Sequence, residues 1–393
     1  MALPLIYNWR NLFVRKSSTL LTFGVVALIV FVLTWALAFG EGLRDSLKAG
    51  GALDKLILIK PGATGESTSF ITLEEVRQLN QLPHVARTAS GEPAVSGEVV
   101  TQTSLPRKND PSQQSMVAIR GVESIAFDIH RTLRMIEGRV FNQSADEIIV
   151  GKSIVDRVNG VQVGGTIVMG YDGGRAFTVV GIFEAAGGPL ESEIWCSLSP
   201  IRDVFNRQSM VSSVAVRLET PSAAKALIEQ LKNPPYVLQA KTEQQYYQDL
   251  ADRSSQILNL TLILVAFMAF GACFAVANTI YAAVDGRTKE IAMLRTIGYT
   301  PGAVISSFII EAVFICGTAC VVGAALACFA LTFTTKQEFL SDATWSTFAY
   351  DMKVTPGILA WSMGAALAVG FIGAIVPAYK ASRMNILSAL RRA

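Results

Sequence analysis

The stretch ILNLTLILVAFMAFGACFAVANTIYAAV (residues 257–284), followed at once by DGRTKEIAMLRTIGYTP (285–301), decides the fold. Its first part carries no charge over 28 positions. As a helix it would reach ~42 Å at 1.5 Å per residue, more than the roughly 30 Å of a bilayer's hydrocarbon, so it reads as a membrane span. The second part turns polar, with Lys289, Glu290 and Arg295 set among Ile291, Leu294 and Ile297 at helical spacing, and with Gly298 ahead of Pro301. Such a segment is a compact amphipathic knob that leaves the bilayer and stops at a glycine before the chain re-enters. On physics alone the knob reads as a solvated loop.

Three more apolar runs lie outward from this one: Leu20–Phe39, Val304–Thr335 with a single acid, Glu311, and Ile358–Tyr379 with Pro377 near its end. A mean hydropathy of +0.40 and only 17% charged residues agree with a membrane protein. The first run is too long for the apolar core of a signal peptide, about 7–15 residues, and its small residues Ala36 and Ala38 make a poor cleavage site. The expected fold is therefore an α-helical membrane protein with four transmembrane helices and a large mixed α+β extracytoplasmic domain between helices 1 and 2. The segments are a cytoplasmic interfacial amphipathic helix (1–19), a span (20–39), the α+β domain (40–256), a span (257–284) and the cytoplasmic loop (285–303). A third span (304–335), a short outer loop (336–357), a fourth span (358–379) and a cytoplasmic tail (380–393) complete them.

Charge sets the orientation, because Lys and Arg in short loops stay in the cytoplasm. Ten basic residues (Arg10, Arg15, Lys16, Arg287, Lys289, Arg295, Lys380, Arg383, Arg391 and Arg392) flank the spans on one side, against Asp285 and Glu290. Residues 40–256 hold 22 basic and 25 acidic side chains, so that region and loop 336–357 belong outside and both termini inside. No basic stripe interleaved with aromatics is present, which leaves no reason to expect nucleic acid.

Within 40–256, residues Asp54–Lys60 read as a strand. Thr72 to Glu75 read as a capping box that opens a helix to about Gln81. Val95–Thr103 and Ser115–Arg120 look extended, with Leu105–Gln114 a mobile loop between them. Ile148–Val150, Thr166–Met169, Phe177–Phe183, Val211–Leu218 and Tyr236–Gln239 read as further strands. Helices are expected at Ser153–Val158 and from Pro221, behind Thr220 as N-cap, to Leu231. Catalytic patterns are lacking: no Gly-Xaa-Ser-Xaa-Gly, no P-loop, and two histidines, His84 and His130, without ligand spacing, which read as ordinary surface or loop residues. Cys196 is alone in this region, so an intrachain disulfide there is excluded. Cys273, Cys316, Cys320 and Cys328 lie in spans as small packing residues.

Polar groups inside spans need reasons. An ionised acid at mid-bilayer costs at least ~2.5–3.5 kcal/mol, so Glu311 must face protein or water, pairing near Asn278 or Tyr281 or reaching a cytoplasmic cation. Gly364 with Ala368, and Gly370 with Ala374, are small residues four apart that permit close helix packing.

The run Asn278, Arg287, Thr288, Lys289, Glu290, Ile291, Leu294, Arg295 and Gly298 resembles the signature of the MacB/FtsX-like ABC transporter permease family, with Gly286 and Ala292 departing from the usual residues. Further similarity lies in Trp9 to Leu12 with Lys16 and Thr19 to Thr22, in Ile310 to Val313 with Gly317 and Gly323, and in Pro377 to Ser382. It extends to Ile149 to Gly151 and to Phe177 to Ile182. The resemblance implies that Arg287, Lys289, Glu290, Ile291, Leu294, Arg295 and Gly298 couple to a cytoplasmic ABC ATPase. No cofactor would be bound by this chain, with ATP and Mg on the partner. It also implies a second permease subunit, a possible periplasmic adaptor and outer-membrane channel, surrounding lipid, and an inner-membrane location. Motion would pass from the ATPase to the outer domain, the mechanotransmission mode of the type VII systems, for export or extraction of an envelope substrate. Alternatives are an FtsX-type regulator of a cell-wall hydrolase, a lipoprotein-releasing permease, and a receptor or adhesin without an ATPase.

Overall fold

The computed structural model describes residues 16–49, 51–171, 174–333, 336–341 and 346–384. The proposed interfacial helix 1–19 lies outside the described residues up to position 15, as does the tail beyond 384. In chain order, α1 (Lys16–Ala49) precedes β1 (Lys55–Ile59), β2 (Ile71–Thr72), α2 (Leu73–Leu79), β3 (Val95–Pro106), β4 (Gln114–Val122), α3 (Ala126–Ile129) and β5 (Arg134–Gly138). Next come β6 (Glu147–Gly151), α4 (Lys152–Val155), β7 (Thr166–Met169), β8 (Arg175–Glu184), β9 (Glu193–Ser197), α5 (Leu198–Val204), β10 (Met210–Val211), β11 (Ser213–Arg217), α6 (Ala224–Leu231) and β12 (Gln239–Thr242). The chain then runs through α7 (Glu243–Gly286), α8 (Thr288–Thr296), α9 (Pro301–Phe333), the hairpin β13 (Lys336–Ser341) and β14 (Ser346–Asp351), and α10 (Pro356–Ser382).

These elements form two compact units: a helical one drawn from residues 16–41, 255–333 and 352–384, and an α+β one from 42–254 with 336–351. Four helices have the length and apolarity to cross a membrane, over Ser17–Leu47, Leu258–Gly286, Pro301–Phe333 and Pro356–Ser382. Thr355 caps α10 by accepting from the Ile358 amide, and Pro356 occupies its first turn, where the missing N–H costs nothing.

The α+β unit is built on a ten-stranded mixed sheet in the order β12-β1-β11-β3-β4-β9-β6-β8-β5, with β7 added on β8. The β4–β9 and β6–β8 pairs are parallel. Alternate residues serve two covered faces. Ile148, Val150, Ile194 and Cys196 enter one core, while Ile149, Phe183 and Trp195 enter another. Each such side chain fully withdrawn from water contributes about 1.5–3 kcal/mol before the entropy of ordering is charged against it. The capping box of α2 is present: Glu75 Nα donates to Thr72 Oγ1, and Glu75 Oε2 accepts from Thr72 Nα at 2.9 Å.

Several sequence expectations are corrected. The loop expected at Leu105–Gln114 is present but shorter, since β3 reaches Pro106, β4 starts at Gln114, and the Arg107 amide bonds the Gln113 carbonyl at 3.0 Å. The last strand falls at Gln239–Thr242 because the segment before it turns back, the Leu238 amide bonding the Leu231 carbonyl that ends α6. The helix expected at Ser153–Val158 is a single turn, α4. Strands β5 and β9 carried no signal, and the short loop 336–357 contains a hairpin that joins the α+β unit.

Candidate functional site

The knob is α8, nine residues between α7 and α9. Its cap residue is Arg287, whose side chain does not cap the helix it opens. The guanidinium instead reaches Glu311 on α9, Nη1 donating to Oε2 at 3.1 Å and Nη2 to Oε1 at 3.4 Å. Glu311 is 5% exposed, so the acid within the span meets a cation fork-to-carboxylate, as its burial requires. At the other end the Tyr299 amide bonds Leu294 and the Gly298 amide bonds Arg295, a closure that needs the left-handed backbone of Gly298 (φ 106°). Arg295 donates to the Ser382 carbonyl in the last turn of α10, where free carbonyls and the helix dipole favour a cation.

The two faces of α8 differ. Ile291 and Ala292 are buried in the helical unit, and Leu294 is half-buried. Lys289, Glu290, Met293, Thr296 and Ile297 point outward, Met293 being 63% and Ile297 70% exposed. Of the residues assigned to coupling, Lys289, Glu290 and Gly298 are thus at the surface, Arg287 and Arg295 reach inward to neighbouring helices, and Ile291 packs in the core. Met293 was missed, though its placement four residues after Lys289 and four before Ile297 puts all three on one face.

Asn278 is exposed on α7, and the buried polar group beside it is Thr279, which bonds Thr22 at 2.7 Å and Ser18 at 3.0 Å on α1. Gly370 and Ala374 are buried against α9, where a side chain at Gly370 would meet Cys316 Sγ at 2.9 Å and the Ala312 carbonyl at 3.2 Å. Gly364 and Ala368 are exposed, and a Cβ at Gly364 would meet nothing within 4 Å among the described residues. Gly373 was missed, and it lets α10 approach the Cys273 carbonyl and Val276 of α7, at 2.7 and 2.8 Å from its missing Cβ. A groove of ≈ 390 Å³ runs along α1 and α7, lined by Phe31, Val32, Trp35, Ala36, Phe39, Leu258 and Thr261.

A second concentration of chemistry lies inside the α+β unit. Arg120 on β4 makes five hydrogen bonds of 2.6–3.0 Å to Glu66, Glu98 and Glu193. Glu98 also accepts from His130 Nε2 at 2.8 Å, and Lys55 donates to His130 Nδ1 at 2.6 Å and to Glu243 at 2.7 Å. Glu243, the first residue of α7, further accepts from the Ala52 amide at 3.0 Å. All seven side chains are buried. Burial pushes Glu98 up, but His130, Arg120 and Lys55 outweigh it and hold the carboxyl well below the usual range. Arg120 does the same for Glu66 against its own burial. Burial opposes the charge of Arg120, and Glu193, Glu66 and Glu98 more than restore it. His130 is therefore a buried bridge and not the surface residue expected, because α3 carries it onto Trp195, its ring 4.9 Å away edge-on. His84 is exposed. Among the described residues no group of His, Cys, Asp or Glu is placed to hold a metal.

Comparison with known proteins gives two family matches: the MacB-like periplasmic core domain over residues 19–233 and the FtsX-like permease C-terminal domain over 262–386. Among curated proteins, the chain is similar to the macrolide export ATP-binding/permease protein MacB of Hyphomonas neptunium. The two are 26% identical over 97% of this chain and 59% of that protein. It is also similar to a probable syringafactin export ATP-binding/permease protein of Pseudomonas syringae, 24% identical over 98% of this chain and 58% of that one. The chain thus spans somewhat over half the length of these relatives. Among solved structures, the periplasmic region of MacB from Actinobacillus actinomycetemcomitans is 16% identical, with a TM-score of 0.37. That likeness covers 53% of this chain and 97% of that one.

Proposed function

This chain belongs to the MacB/FtsX-like family of ABC transporter permeases, and from that membership we propose that it couples a separate cytoplasmic ABC ATPase to an envelope-facing α+β unit, for export or extraction of an envelope substrate. The observation that carries the reading is the outward face of α8. Lys289, Glu290, Met293, Thr296 and Ile297 form one stripe, with two large apolar side chains exposed on a helix held from behind. Large exposed apolar groups beside charges suit a protein partner's groove. ATP and Mg would reside on that partner, whose nucleotide-bound and free states must contact the stripe differently to move it. The basic loops support a cytoplasmic location for both termini. A second permease copy would pack along α7, which exposes Leu260, Leu264, Phe267 and Phe274.

The names of the relatives, macrolide and syringafactin export, support small-molecule export as the kind of transport; a periplasmic adaptor and outer-membrane channel are part of the same proposal. The groove along α1 and α7 favours one second reading, a lipoprotein-releasing permease, because its apolar lining and single hydroxyl, Thr261, suit an acyl chain.

The test is recovery of the tagged chain from its native membranes in mild detergent, followed by mass spectrometry. A P-loop ATPase should accompany it in about equal amount, and Met293→Glu with Ile297→Glu should cut that recovery more than about tenfold while the permease remains folded. Undiminished recovery with the double variant would sink the assignment of this face.

A further inference from the structure

A helix as short as α8 has little stability of its own, so its orientation is set by what it touches. Ile291 and Ala292 bury an apolar face, but apolar contact is non-directional and permits rotation and sliding. Directional contacts to two other membrane helices sit at its two ends. The Arg287 fork lies on the Glu311 carboxylate of α9, and Arg295 bonds the end of α10 at Ser382. Each end of the knob is therefore fastened to a different membrane helix. A buried ion pair adds little net stability, since loss of hydration offsets its attraction. What the planar guanidinium on a carboxylate supplies is an angle.

We infer that Glu311, Arg287 and Arg295 are positioning residues that mount α8 rigidly across α9 and α10, so that a push on the Met293 and Ile297 face moves both helices together. The mount stands on the contacts above; its role in transmission rests on the proposed docking of an ATPase. Without the mount, a push would turn α8 about the end of α7 and be lost.

Hydrogen exchange on the full chain in lipid nanodiscs separates the two. Without any partner, Glu311→Gln should speed exchange of the peptide covering residues 288–297 at least tenfold and leave α9, α10 and α+β peptides unchanged. Arg287→Lys should fall between, and the swap Arg287→Glu with Glu311→Arg should restore protection. Exchange within twofold of wild type in Glu311→Gln would overturn the mount. So would a swap that stays as fast as Glu311→Gln with its other peptides protected. With the ATPase recovered, Glu311→Gln should bind it in equal amount and keep its basal hydrolysis, yet lose the ATP-dependent change in α+β exchange that wild type shows. A change of wild-type size would overturn the transmission role. If wild type recovers no ATPase, it is the docking reading that fails, and the partner-free exchange still decides the mount.

Discussion

The helical and α+β units both bury charge, to different ends. In the helical unit the ion pair of Arg287 with Glu311 ties a nine-residue helix to its neighbour. In the α+β unit, Arg120, Lys55, His130 and four glutamates from strands β1, β3, β4 and β9, the ends of α3 and α7 and the turn at Glu66 bond one another in a connected network. The network joins segments far apart in the chain, so it defines a domain; the Arg287–Glu311 pair joins two adjacent helices, so it defines an angle. Removing a member should therefore unfold one unit and merely loosen the other.

The contrast is sharpest at Arg120. Arg120→Met leaves Glu66, Glu98 and Glu193 buried without their cation, at a cost of about 3–5 kcal/mol. Limited proteolysis of the full chain should show the α+β unit cut while the membrane helices persist, whereas Glu311→Gln should leave both intact. An Arg120→Met chain as resistant as wild type would erase the distinction.

Acid should act on the same unit. Glu98 and Glu66 titrate below the ordinary glutamate value of 4.5 when folded, so the unfolded chain takes up protons first as pH falls. Their contribution is complete above about 4.5 and declines as pH drops from there toward the lowered folded values. Unfolding temperatures measured across a pH series should be level near neutrality and drop below that point. A main decline between pH 8 and 6 would assign the sensitivity to some other group.

The smallest effect concerns packing without charge. Gly370→Leu forces a side chain onto Cys316 and the Ala312 carbonyl and should cost about 1–3 kcal/mol, while Gly364→Leu meets open space and should be near neutral by thermal unfolding in detergent. Equal costs would mean that Gly364 faces a partner helix.

The spans are legible in the sequence because a membrane helix must be largely apolar all round, and four long runs, one of them broken only by Glu311, announce it. The knob is legible too, from Ile291, Leu294 and Gly298. What the spacing does not reveal is direction. Arg287 and Arg295 read as surface charge, yet both turn inward because α9 and α10 offer an acid and a free carbonyl. The buried cluster is illegible for another reason. Arg120 follows Val117 and Ile119 on a strand and so occupies what alternation assigns to solvent, but the sheet is covered on both faces, and the matching glutamates lie up to 73 residues away.

Glu243 has one more consequence. Its carboxylate holds the Ala52 amide and Lys55, so the first and last residues of the α+β unit's sheet region meet at a single side chain, and Gly51 lies against Gln244 with no room for a Cβ. A segment whose two ends touch is a cassette, the geometry that lets it be inserted, exchanged or grafted without stretching the chain on either side.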